Sequence, residues 1–153
     1  MVHKMDISEY GLQLIKDFEG CKLEAYVCSS GQLTIGFGHC GPDVHEGQTI
    51  TSVEAKDLLA VDVAKFEEGI SHLIKRKLKQ SHFDALVSWA FNIGLGNVES
   101  STLRRRMNQS QDQTIRIIEE ELPRWNKGPD GPLEGLTRRR KAEVQLAQRG
   151  IYP

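Results

Sequence analysis

Three polar side chains near the beginning of the sequence, Glu19, Cys28 and Thr34, are of types that could take part in sugar chemistry. Cys28 follows Glu19 by nine positions, and Thr34 follows Cys28 by six. Cleavage of a glycosidic bond needs a proton donor for the leaving oxygen and a second group that activates water or stabilises the oxocarbenium ion. A partly buried Glu19 could be the donor, although a glutamate at a helix end is more often solvated or salt-bridged. The residue types therefore suggest glycoside cleavage without assigning it.

Cys28 could fill the second role only as a thiolate, which is negatively charged, basic and strongly nucleophilic. An unperturbed cysteine has a pKa of about 8.5, so at neutral pH only a small fraction of such thiols is ionised. Three interpretations stay open: Cys28 is the base for water, it attacks the anomeric carbon itself, or it is an inert small residue.

The other two cysteines are Cys21 and Cys40. An odd number of cysteines without CxxC or Cys/His ligand spacing predicts neither a disulfide scaffold nor a metal site. We expect no cofactor. A disulfide between Cys28 and Cys40, formed after release from the cell, stays open as an alternative.

Two short alternating runs around Ser29-Ser30-Gly31 must position these groups. The runs 23–27 and 32–37 flank a glycine-containing turn and predict a β-hairpin. Before the hairpin, Ser8 as N-cap and apolar residues at helical spacing predict a helix that ends near Glu19. The three polar groups would then meet at the mouth of one small sheet.

The pattern Thr51-Ser52-Val53-Glu54 is a capping box and predicts the start of the strongest helix in the sequence. Asp62 lies on the apolar stripe of that helix, where an unpaired carboxylate is unfavourable. We predict that His39, at the end of the hairpin, is its partner; the alternative is an exposed edge of the stripe. Ser81 is a candidate N-cap for the next helix. Further helices are predicted over about 83–93, 102–107, 111–122 and 136–149.

Composition and charge narrow the class of protein. The chain has 153 residues, 39% hydrophobic and 27% charged, as in ordinary globular domains. Its net charge of −1 argues against a dedicated nucleic-acid binder. No apolar run approaches the roughly 20 residues of a membrane span, and MVHKMDISEYG lacks the apolar core of an export signal. We therefore expect a protein that is made and kept in a cytoplasm.

The hairpin residues fall in register with a known motif, E-G-x-x-L-x-x-Y-x-x-x-x-G-x-x-T-x-G-x-G-H. The matching residues are Glu19-Gly20, Leu23, Tyr26, Gly31, Thr34, Gly36, Gly38 and His39. In this stretch the chain closely resembles the phage-type lysozymes, glycoside hydrolase family 24. The likeness continues in Phe91-Asn92-Ile93-Gly94, Ser101-Thr102-Leu103, Arg124-Trp125 and the Gly135–Arg140 stretch, and it covers about Ile7 to Tyr152.

The resemblance implies a fold: α+β, mostly α, with a small β-hairpin lobe and a helical lobe joined by a long helix. The whole chain, 1–153, would be a single domain. Its small lobe would cover about 18–51 and its connecting helix about 52–75. The helical lobe would cover about 76–153 together with the first helix.

The resemblance also implies roles for individual residues. Glu19 would be the general acid, Thr34 would hold the attacking water, and His39–Asp62 would be a structural ion pair. Cys28 departs from the pattern, because the family most often has Asp there. Arg139 or Arg140 would lie near Glu19 and fix its charge. The residues implied to line the saccharide cleft are Phe91, Asn92 and Thr102.

The implied activity is that of an endolysin, a muramidase that cleaves the β-1,4 bond between N-acetylmuramic acid and N-acetylglucosamine. Two alternatives stay open: a lytic transglycosylase on the same bond, and an inactive peptidoglycan-binding module. The partner would be the glycan strand, with no nucleic acid and no stable membrane insertion, and the protein would be a monomer. It would stay in the cytoplasm of the infected host until a holin releases it to the wall in the periplasm.

Overall fold

The computed structural model describes residues 4–153, so the first three residues of the stretch examined for an export signal lie outside the described residues. The chain forms two compact units. We call Ile15–Lys65 the sheet unit, and we call the residues up to Leu14 together with Phe66–Pro153 the helical unit. Most of the residues are helical and the main sheet is small, which confirms the predicted α+β class.

The predicted hairpin is present in the sheet unit and carries a third, short strand. Helix α1 (Glu9–Glu19) ends in this unit, and the strands are β1 (Lys22–Val27), β2 (Leu33–Gly36) and β3 (His39–Cys40). They form an antiparallel sheet in the order β1-β2-β3. In register, Thr34 lies between Tyr26 and Cys40, so Thr34 occupies the centre of the sheet. The third strand has two residues and gives no periodic signal in the sequence.

The turn between β1 and β2 is a three-residue loop. The Cys28 N–H donates to Gln32 O at 2.9 Å, and the Gly31 N–H donates to Cys28 O at 2.9 Å. Gly31 has φ +86°, the left-handed conformation that closes loops of this length. The loop therefore fixes Ser30 close to Cys28 in space.

Helix α2 (Ser52–Leu73) begins with the predicted capping box. Glu54 N–H donates to Thr51 Oγ1, and Thr51 N–H donates to Glu54 Oε1, each at 3.1 Å. The boundary between the two units falls within this helix, after Lys65. Up to Lys65 its buried residues are Ala55, Leu59 and Val63, and the other buried apolar residues of the sheet unit are Ile15, Ile35 and Val44.

The described residues of the helical unit form five further helices. They are α3 (Gln80–Ile93), α4 (Leu95–Ser100), α5 (Thr102–Gln109), α6 (Thr114–Glu121) and α7 (Glu134–Gln148). A 3-10 turn at Leu122–Arg124 and a short two-stranded sheet, Lys127–Gly128 with Gly131–Pro132, precede α7. None of the helices within residues 4–153 is long and apolar enough to cross a membrane.

Helix α3 is the centre of the helical unit, since every residue from Ser81 to Ala90 is buried. The prediction that Ser81 caps this helix is wrong. The helix already begins at Gln80, so Ser81 lies inside its first turn, and the Ser81 hydroxyl donates to Ala147 O at 3.3 Å. The hydroxyl forms its hydrogen bond with α7 and not with the free N–H groups at the start of α3. Local sequence does not encode this long-range contact.

Candidate active site

Glu19 is the last residue of α1 and is partly buried. Its carboxylate lies directly against Gly38, in the turn between β2 and β3: a Cβ atom at Gly38 would stand 2.9 Å from Glu19 Oε1. Gly38 also has φ +79°, which a larger residue adopts only with strain. The glycine therefore allows the turn to form and allows the carboxylate to lie beside it.

Cys28 directly follows β1, and Thr34 is the second residue of β2. Cys28 Sγ is 2.9 Å from the hydroxyl oxygen of Ser30. Thr34 is buried, and its hydroxyl donates to Gln32 O at 3.1 Å. Hydrogen bonding by the Ser30 hydroxyl, then by Thr34, and then by the backbone of Ser30 and Gln32 lowers the pKa of Cys28 to about 6. The thiol at this position is therefore mainly a thiolate at neutral pH, carrying the charge that a carboxylate would carry.

His39 bridges two carboxylates in the sheet unit. Its Nδ1 is 2.8 Å from Asp62 Oδ2 on α2, and its Nε2 is 2.9 Å from Asp43 Oδ2. Partial burial lowers the pKa of His39, but the hydrogen bonds to Asp62 and Asp43 and the charges of both carboxylates raise it by more, so that the net direction is upward. The imidazole ring therefore joins the end of the sheet to α2. Sequence reasoning did not identify Asp43, because it lies in an exposed loop, where a carboxylate needs no partner.

This ion pair predicts a pH-dependent contribution to stability. A group whose pKa is higher in the folded state stabilises the fold fully below its unfolded pKa, about 6.5 for histidine. That contribution is lost as the pH rises through the folded value. We expect Asp62→Asn to lower the free energy of unfolding by about 1 kcal/mol at pH 5 and by less at pH 9, measured by urea denaturation.

The matched control is Asp57→Asn, which changes an exposed carboxylate on the same helix. We expect it to give the same small effect at both pH values. An equal loss of stability for Asp62→Asn at pH 5 and pH 9 would contradict a charged His39.

The arginines predicted to support Glu19 lie in the helical unit, on α7. Both are buried around Glu143, which is fully enclosed. Arg140 Nε is 2.6 Å from Glu143 Oε1, and Arg139 Nε is 3.3 Å from Glu143 Oε2. The Ser88 hydroxyl also donates to Glu143, at 2.6 Å. Two buried cations thus surround one buried carboxylate, and the role of either arginine toward Glu19 stays a prediction.

The predicted saccharide-binding residues also lie in the helical unit. Phe91 packs edge-to-face on Phe66, with ring centroids 5.2 Å apart. Thr102 is the first residue of α5. Asn92 is exposed and lines a surface cavity of about 530 Å³ together with Trp125 and Lys127. A cavity lined by an amide and an indole suits a sugar, but contact with substrate stays a prediction for all three residues.

The structure thus brings Glu19, Cys28, Thr34, His39 and Asp62 together in one unit of 51 residues, Ile15–Lys65. All three cysteines are free thiols, so the disulfide considered between two of them is absent from this structure. No group of three or more His, Cys, Asp or Glu side chains among the described residues is arranged to hold a metal ion. Ser30 is a further polar group at the site, and the sequence showed it only as part of the turn.

Comparison with known proteins gives consistent matches. The sequence model of the family described as "Phage lysozyme" matches residues 16–143. The endolysin of Bacillus phage PZA is 42% identical over 148 residues, which are 95% of this chain and 56% of that protein. The chain therefore spans little more than half the length of that relative.

Solved structures are similar over the whole chain. The endolysin from Escherichia coli O157:H7 phage FAHEc1 superposes with a TM-score of 0.87 at 36% identity, covering 100% of this chain and 99% of that one. The muramidase domain of SpmX from Asticaccaulis excentricus superposes with a TM-score of 0.81 at 33% identity, covering 97% and 99%. The likeness therefore extends through both units.

Proposed function

Because the chain belongs to the phage lysozyme family, we propose that it hydrolyses the β-1,4 bond between N-acetylmuramic acid and N-acetylglucosamine in peptidoglycan. The observation that carries the proposal is the donor set around Cys28, which keeps a negative charge at the position where the family most often has Asp. Glu19 and Thr34 occupy the other two positions of the motif, in the same unit. The substitution of thiol for carboxyl therefore preserves the charge that the chemistry needs.

In the proposed reaction, protonated Glu19 donates its proton to the glycosidic oxygen as the bond from that oxygen to the anomeric carbon breaks. A water molecule attacks the anomeric carbon from the opposite face and gives its proton to the Cys28 thiolate, so the configuration inverts. After the reaction Glu19 is ionised and Cys28 is protonated. Cys28 then releases its proton to solvent and Glu19 takes one up from solvent, which restores both groups. A base with a pKa near the working pH is well matched to this transfer.

The hydrogen bonding of the Thr34 hydroxyl suits it to hold this water. A hydroxyl has one proton and two lone pairs, and the proton of Thr34 is directed to Gln32 O. The lone pairs of its oxygen are therefore available to accept a hydrogen bond from water. This leaves the water oxygen free to attack.

We further propose the biological setting from the family. The substrate partner is the peptidoglycan glycan strand, and the enzyme acts as a monomer that lyses the host cell. It stays in the host cytoplasm until a holin perforates the membrane, and then reaches the wall in the periplasm. The naming of the PZA and FAHEc1 relatives as endolysins supports this role.

The test is mass spectrometry of the muropeptides released from purified peptidoglycan in water enriched in ¹⁸O. We expect hydrated reducing ends that carry one ¹⁸O atom, because hydrolysis adds one water to the anomeric carbon. Anhydro-muramyl ends, lighter by one water, would show a lytic transglycosylase instead. No release by a folded sample would leave a peptidoglycan-binding module.

The anomeric configuration of the first product, followed by NMR before mutarotation, separates the two active roles of Cys28. A thiolate that acts as a base for water gives the inverted anomer. A thiolate that attacks carbon forms a thioglycoside, whose hydrolysis restores the original configuration. We expect the inverted anomer.

A further inference from the structure

The thiol of Cys28 has one side-chain neighbour that the proposed reaction does not use. The Ser30 hydroxyl oxygen lies 2.9 Å from Cys28 Sγ. Within the described part of the chain that hydroxyl makes no other hydrogen bond. Its single proton is therefore available to the sulfur.

The Thr34 hydroxyl, which comes second to Ser30 in lowering the pKa of Cys28, can donate to the sulfur only by giving up its own bond to the backbone. Its proton is directed to Gln32 O at 3.1 Å, and a hydroxyl has only one proton to donate. Of the two hydroxyls, Ser30 is thus the one that can donate to sulfur without giving up a bond to the backbone.

The loop holds Ser30 in this place independently of its side chain. The two backbone bonds that close the loop join Cys28 to Gln32 and Gly31 to Cys28, and neither involves the Ser30 hydroxyl. Gly31 supplies the left-handed residue that the loop requires. Removing the hydroxyl of Ser30 therefore removes the donor and leaves the turn in place.

We propose that Ser30 is a positioning residue that donates its hydroxyl proton to the Cys28 sulfur, holds Cys28 as a thiolate, and so sets the lower pH limit of the reaction. The link to the reaction rests on the proposed function, but the state of the thiol does not depend on it. The two statements can therefore be tested separately.

Other titratable side chains in the sheet unit must be separated from this effect. Tyr26 on β1 and Cys40 on β3 are both register partners of Thr34, and Glu19 lies in the same unit. An alkylation readout at sulfur does not report on the tyrosine hydroxyl. The thiols of Cys40 and Cys21 are removed by substitution, and an alkylation readout reports on sulfur rather than on Glu19.

The first experiment measures the rate of alkylation by iodoacetamide against pH in the Cys21→Ser/Cys40→Ser protein, where Cys28 is the only thiol. We expect a midpoint of about 6 with Ser30 present. Ser30→Ala should move the midpoint upward by about one pH unit, because a hydrogen bond to the charged form is lost. Ser30→Thr, which keeps a hydroxyl, should restore the lower midpoint. The matched control is Ser29→Ala, in the same loop and without a bond to sulfur, and it should leave the midpoint where it was.

An unchanged alkylation midpoint in Ser30→Ala would overturn the proposal.

The second experiment measures kcat/KM for muropeptide release against pH in the same variants. A parallel upward movement of the acid limb in Ser30→Ala supports the link to the reaction. A thiol midpoint that moves while the acid limb stays fixed would overturn that link and, with it, the base role proposed for Cys28.

Discussion

Replacing Glu19 with glutamine should reduce the release of muropeptides by about 10³-fold, the scale of a lost general acid. Glutamine has nearly the size and shape of glutamate, but its amide cannot give a proton to the glycosidic oxygen. The side chain lies against Gly38, where there is no Cβ to obstruct either form. Initial rates on purified peptidoglycan would measure the loss, and circular dichroism and the thermal midpoint would show whether the fold is kept.

A matched control is available on the neighbouring strand. Glu24 on β1 is an exposed carboxyl group in the same unit as Glu19, and Glu24→Gln makes the same chemical change there. We expect Glu24→Gln to keep most of the activity. Full activity in Glu19→Gln would contradict the assignment of the acid and the proposed reaction as a whole.

The parts of the fold that could be predicted are those that local patterns encode. The capping box at Thr51–Glu54 is present with both of its reciprocal bonds, because the residues that form it are three positions apart. The hairpin was visible in two alternating runs around Gly31. The strand His39–Cys40 and the bridge between Glu24 and Thr49 were not, because one or two residues carry no periodicity.

Long-range pairings could be predicted only where burial demands a partner. Asp62 interrupts an apolar stripe, and this conflict led to His39, 23 positions earlier, whose Nδ1 the structure places 2.8 Å away. Asp43 lies in an exposed loop, where a carboxylate needs no partner, and nothing in the pattern required it to contact His39. A buried charge is thus informative in sequence, whereas an exposed one is not.

The charge state of Cys28 could not be predicted for a different reason. The sequence shows a thiol where a carboxylate is usual, and an unperturbed thiol is mostly neutral at pH 7. Hydrogen bonds at the turn lower the pKa of Cys28. The Ser30 hydroxyl has the largest effect, followed by Thr34 and by the backbone of Ser30 and Gln32. The direction of these donors depends on the loop conformation, which becomes known only when the turn is built.

A thiolate base differs from a carboxylate base in what its negative charge depends on. An aspartate is ionised at neutral pH without assistance, since its unperturbed pKa is about 3.9. Cys28 depends on neighbouring donors for the same charge. The turn residues are therefore part of the site when cysteine is present and dispensable when aspartate is present.

The substitutions at Cys28 follow from this reasoning and carry the second large effect. Cys28→Ser should lower kcat/KM for muropeptide release by about 10²-fold or more, because a serine hydroxyl does not ionise and is a poor base at neutral pH. Cys28→Asp should stay active, because the carboxylate restores the charge and can accept the proton of water. Its acid limb should lie at lower pH than that of the parent protein, following the lower pKa of aspartate.

The control is Cys40→Ser, which removes an exposed thiol from the same sheet and should leave kcat/KM unchanged. Cys28→Ser with the activity of the parent protein would show that the thiol takes no part in the reaction.

The double variant Cys28→Asp/Ser30→Ala tests the roles of Cys28 and Ser30 together. Because aspartate needs no donor to ionise, Ser30→Ala should raise the acid limb when cysteine is present and leave it nearly unmoved when aspartate is present. An equal movement in both backgrounds would mean that Ser30 acts on the reaction by a route other than the charge of Cys28.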